Sequence, residues 1–102
     1  MHLVQLLLPL HDNAGVPFPR VAFEQVRAEL TDRYGGVTAY LRSPASGVWT
    51  DEGGEVAREE VVMVEVMVRR LERRKWAEYR RLLEERFRQA EIVVRALRID
   101  RL

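Results

Sequence analysis

The chain has 102 residues, 47% of them apolar and 32% charged, with a formal net charge of +1. That length and apolar content suit one domain with one core, and the balanced charge gives no overall field to draw the protein to nucleic acid or a membrane. Cysteine is absent, which excludes disulfides, thiolate nucleophiles and zinc sites built on Cys, and fits a reducing compartment.

His2, Val4, Leu6 and Leu8 alternate with Leu3, Gln5 and Leu7, and Pro9 removes a ladder donor, so a first strand ends near Leu8. The opening MHLVQLLLPL lacks a basic leader and a small-residue cleavage site and is too short to span a bilayer, so a cytoplasmic protein is expected. Residues 9–19 read as loop. Asp12, Asn13 and Gly15 supply turn chemistry, and Pro19 suits a first helical position. From Arg20, the residues Phe23, Val26 and Leu30 follow helical spacing, and Gly35-Gly36 offers a left-handed cap.

Val37 to Arg42 alternates as a second strand, which Ser43-Pro44-Ala45-Ser46-Gly47 interrupts and Val48-Trp49-Thr50 resumes. Asp51-Glu52-Gly53-Gly54 then turns the chain, making a hairpin with an irregular first arm. Trp49 is expected to cap one end of a core. The stretch Glu59 to Val68 (EEVVMVEVMV) is the longest strand-type run, roughly 33 Å if extended. Val62, Val64, Val66 and Val68 share one face, with Val61, Met63, Glu65 and Met67 on the other, so it reads as a central strand covered on both sides.

Leu71, Trp76, Tyr79, Leu83, Phe87 and Ala90 then mark the apolar stripe of a second helix, from about Leu71 to Gln89. Between Arg69 and Arg88 nine Lys or Arg meet four Glu, and the mixed signs read as a solvated helix face with charges three or four apart. Ile92 to Ile99 is the last strand. The order β-α-β-β-α-β predicts a single α+β domain over 1–102. Its layout is ferredoxin-like, an antiparallel sheet in the order 4-1-3-2 with both helices on one face and an extended β-hairpin.

Giving the helices the purely apolar set of each strand leaves Leu3, Leu7, Met63, Met67, Val93 and Leu97 on the second face. That is too much apolar surface to leave in water, and no third helix exists to cover it. A second copy is the economical cover, so a homodimer is expected. Each strand also places a polar residue on that face, in the order Arg95, Gln5, Glu65, Tyr40. A carboxylate there needs a partner, and Arg95 or Arg42 would supply one. The row reads either as a structural ion pair or as the floor of a ligand pocket formed by Gln5, Tyr40, Arg42, Trp49, Glu65 and Arg95.

Other chemistry finds little support. His2 and His11 have no metal-ligand spacing, so no metal is expected. Ser43 and Ser46 lack a nucleophile elbow, and neither glycine pair resembles a phosphate loop, so no cofactor is expected. The central strand lacks the aromatic residues on which an RNA-binding sheet stacks bases.

Tyr34-Gly35-Gly36-Val37-Thr38, Gly47-x-Trp49, Asp51, Gly54-Glu55-Val56, Glu59, Tyr79, Phe87 and Gln89-x-Glu91 together resemble a bacterial family of small uncharacterised proteins, a domain of unknown function. That family is similar in layout to the dimeric α+β barrel proteins, so the resemblance implies the ferredoxin-like layout and a homodimer. Among those barrels are small isomerases, cofactor-free oxygenases and stress-related proteins, and their fold does not carry chemistry across. The segment Arg42 to Ser46 looks longer than the family's. The expected function is a homodimeric small-molecule-binding protein or cofactor-free enzyme. The alternative is a non-catalytic interaction module whose basic second helix meets an acidic partner.

Overall fold

The computed structural model describes residues 1–36, 38–50 and 56–102, and side chains outside 37–59. Its elements are β1 (His2–Pro9), α1 (Arg20–Tyr34), β2 (Thr38–Thr50), β3 (Val56–Val68), α2 (Arg73–Arg86) and β4 (Val93–Arg98). The expected turn at Asp51 to Gly54 and the strand start at Val37 lie outside the described residues.

Alternation explains the core. Val4, Leu6 and Leu8 of β1 and Val62, Val64 and Val66 of β3 are buried, and antiparallel pairing sets Val4 against Val66, Leu6 against Val64 and Leu8 against Val62. Phe23, Val26 and Leu30 of α1 and Trp76, Tyr79 and Leu83 of α2 join the same cluster, so both helices lie over this one face. Phe87 closes the end of the core, its ring 5.0 Å from that of Phe18 and 5.8 Å from that of Phe23. The apolar residues that recur every three or four positions along each helix are therefore the ones buried against the sheet.

The expectation of a four-stranded 4-1-3-2 sheet is corrected. The regular sheet is antiparallel and has three strands, β3-β1-β4, under two helices. β2 bonds to the outer side of β3, but only four of its residues, Thr38, Ala39, Tyr40 and Ala45, meet the part of β3 that also pairs with β1. Ser46 to Thr50 run on along Glu60 to Val56, beyond the end of β1, as a two-stranded arm. Between Tyr40 and Ala45 the chain advances five residues against two on β3. Pro44 lies in that step, where a residue with no N–H to donate favours a break in the ladder.

Other boundaries move for local reasons. Pro19 is the N-cap of α1, extended at φ −65° and ψ 148°, and Arg20 is the first helical residue. Gly35 takes the left-handed conformation (φ 79°) and donates its N–H to the Thr31 carbonyl at 2.8 Å. α2 ends sooner than its apolar stripe suggested. Arg88 adopts φ 51°, its N–H bonding the Glu85 carbonyl at 3.1 Å while the Gln89 N–H bonds that of Glu84 at 2.9 Å. This is the paired C-terminal closure in which glycine is the usual left-handed residue. Ala90 is consequently outside the helix and exposed, and Ala96 of β4, expected against the helices, is also exposed.

Candidate functional site

Among the described residues nothing covers the face of the sheet away from the helices. Leu3, Leu7 and Met63 are half-buried, while Met67, Val93 and Leu97 are 51%, 45% and 46% exposed. The register sets Gln5 between Glu65 of β3 and Arg95 of β4. Gln5 Nε2 donates to Glu65 Oε2 at 2.8 Å, and Arg95 Nε donates to Gln5 Oε1 at 2.8 Å. Only one amide orientation serves both neighbours, with the oxygen toward the guanidinium and the nitrogen toward the carboxylate. The expected direct bond from an arginine to Glu65 is thus replaced by a relay through Gln5 on the described side chains.

The other expected site residues fall differently. Thr38, not Tyr40, pairs with Glu65, and Tyr40 sits two residues along opposite Met63. Arg42 lies within the register shift. Trp49 pairs with Ala57 on the arm, eight residues along β3 from Glu65 and so roughly 26 Å away within one chain. The side chains of Tyr40, Arg42 and Trp49 lie outside the described residues.

The Glu65 end of this face opens into a hollow of about 860 Å³. Leu3, Glu65 and Met67 form its sheet wall, Arg33 and Tyr34 approach from the end of α1, and Arg69 and Arg70 from the turn after β3. Arg101 closes it from the tail, which is tied down where the Ile99 N–H bonds the Met1 carbonyl at 3.1 Å. Tyr34 is held by stacking on Trp76, with centroids 5.0 Å apart and planes 11° apart. The Arg33 guanidinium lies 5.3 Å from the centroid of the Tyr79 ring, a cation–π arrangement.

Sequence reading missed these arginines, which come from separate segments, and it also missed the clamp between the helices. Arg86 donates from Nη1 and Nη2 to the two carboxylate oxygens of Glu29 at 2.7 and 2.9 Å, and the Tyr79 hydroxyl donates to Glu29 Oε1 at 2.9 Å. The Arg86 hydrogen bonds hold the Glu29 carboxyl below its ordinary pKa. Burial, then donation to Glu29, pushes the Tyr79 hydroxyl up. One signal was available: Tyr79 and Arg86 are two turns apart on one helix face, and a buried tyrosine hydroxyl calls for a partner.

No family model matches the chain, and no curated protein does. Solved structures do. A single-substitution variant of CutA1 from Pyrococcus horikoshii OT3 is similar over 100% of this chain and 86% of its own, with a TM-score of 0.61 and 13% identity. A phage SAM lyase in complex with S-methyl-5'-thioadenosine is similar over 94% of this chain and 79% of its own, with a TM-score of 0.61 and 14% identity. What the chain shares with them is a small ferredoxin-like α+β fold. The resemblance to a bacterial family of unknown function rests on the turn and strand motifs alone. No helix is long and apolar enough to cross a membrane among the described residues.

Proposed function

We propose that the protein is a self-associating small-molecule-binding protein whose open sheet face is covered by a second copy, with the ligand pocket at the Glu65 end of that face. The observation that carries this reading is the arrangement on the uncovered face, where the Arg95–Gln5–Glu65 relay is flanked by Leu3, Met67, Val93 and Leu97. A carboxylate held by one amide among apolar side chains is costly as pure scaffold, since a valine or methionine would pack there without desolvation. Covering the face strengthens the relay and encloses the hollow beside it. Two copies face to face are the simplest closure. The SAM lyase neighbour, described with S-methyl-5'-thioadenosine, supports the capacity of such a fold to hold a small molecule; the fold does not choose the ligand.

The reading as a basic-helix interaction module is weaker. Lys75 is 3.0 Å from Glu72, Arg80 is 3.2 Å from Glu84 and Arg86 is 2.7 Å from Glu29, so much of the charge on that helix is already paired. A thermal-shift screen over small metabolites with the wild type and Glu65→Gln tests the proposal. The variant is expected to fold and to lose the stabilisation a ligand gives the wild type. Equal ligand shifts in both proteins would remove Glu65 from the site.

A further inference from the structure

We infer that the hollow at the Glu65 end takes a small oxyanion, a phosphate ester or polycarboxylate that also carries a hydroxyl or amino group. This rests on the proposed pocket beside Glu65 and specifies its ligand class. The first ground is charge. Four arginines and two glutamates line the hollow, and the Glu72 carboxylate is already taken by Lys75 Nζ at 3.0 Å. Among the described residues, none of the guanidinium groups of Arg69, Arg70 and Arg101 lies within 4.0 Å of a carboxylate. Three arginines with no carboxylate partner among the described residues line one concavity, and an anion bound there relieves the repulsion between like charges.

The second ground is chemistry. The planar fork of arginine matches carboxylate and phosphate oxygens two at a time, where a lysine would act as a point charge. All four cationic side chains lining this hollow are arginines. The third ground is the Glu65 carboxylate in the same lining. Gln5 satisfies Oε2 of Glu65, and among the described residues Oε1 has no donor, which leaves an acceptor for a ligand hydroxyl or ammonium. Leu3, Met67 and the stacked Tyr34 add apolar lining to the same hollow. A volume of about 860 Å³ accommodates a metabolite of that kind.

Isothermal titration of the full chain with inorganic pyrophosphate and with citrate, at low ionic strength, tests the inference. Saturable binding of at least one probe is expected in the wild type, falling as salt is added. The double variant Arg69→Gln/Arg70→Gln is expected to weaken it by about tenfold or more, whereas Arg81→Gln, on the exposed side of α2, should leave it unchanged. An unfolding curve checks that the double variant remains folded. No saturable heat with either probe, or equal affinity in the double variant and the wild type, overturns the inference. Light scattering on the same samples keeps the two readings apart. A single-chain mass with arginine-dependent binding defeats self-association and leaves the oxyanion site standing, whereas an oligomer that ignores both probes does the reverse.

Discussion

The two faces of the sheet are built from the same strands and treat water in opposite ways. On the helix side, Leu6, Val64 and Leu30 are completely buried, and every strand position that faces the helices along β3 from Val62 to Val66 is apolar. On the other side, equally apolar residues stay part-exposed and are interrupted by one continuous polar relay. A closed face needs only volume and shape, so it uses residues without polar atoms. A face that keeps Gln5, Glu65 and Arg95 in register is specified by hydrogen bonds, and its apolar remainder gains free energy only when something covers it.

Substitutions that act on one face and not the other sharpen this contrast. Leu6→Ala should cost about 2–5 kcal/mol, a loss relative to the wild type that is the same at every protein concentration. Leu97→Ala should lower the midpoint less, and more so in dilute samples, because its partner is another chain. Identical concentration dependence in the two variants would erase the distinction between the faces.

Next in size is the clamp over the closed face. Glu29→Ala removes the carboxylate that holds both Arg86 and Tyr79, and about 1–2 kcal/mol is expected, since the pair is only partly shielded from solvent. Its pH signature has a definite sign. The Glu29 carboxyl sits below its ordinary value of 4.5 because Arg86 hydrogen-bonds it. Its contribution is therefore complete above that value and is lost as pH falls through the lower native one. Denaturant midpoints measured on descending pH should drop more steeply for the wild type than for Glu29→Gln below the ordinary value; parallel curves would mean the clamp adds nothing.

The smallest effect is expected at the end of α2, far from both questions. Arg88 pays the strain of a left-handed backbone that glycine adopts freely. Arg88→Gly should stabilise by up to about 1 kcal/mol, and a lowered midpoint would show that the Arg88 side chain contributes more than its backbone costs.

What was legible in the sequence follows the same division. Period-two alternation separates Val62, Val64 and Val66 from Met63, Glu65 and Met67 without reference to anything distant, so the two faces could be read directly. The grouping of Gln5 with Glu65 and Arg95 followed from strand order plus that alternation. Tyr40 was misplaced by two residues because pairing along β2 depends on how many residues the step near Pro44 absorbs, which no periodicity counts. The place of Trp49 depends on the same step, and pairing with Ala57 sets it out along the arm. The arginine-lined hollow was illegible because Arg33, Arg69 and Arg101 come from a helix end, a turn and a tail that only tertiary packing brings together. The Glu29–Arg86 pair spans 57 residues and is likewise a product of how the helices cross the sheet.

The central claim is that the open face is an interface between copies. Multi-angle light scattering at micromolar concentration, on the wild type and on Val93→Lys, tests it most directly, because Val93 lies on that face and outside the hollow. The account predicts a wild-type particle of at least twice the 11.9 kDa chain mass, reduced to a single folded chain when a lysine is buried without a partner. A wild type that scatters as an 11.9 kDa monomer, or a variant that keeps the wild-type mass, would contradict it.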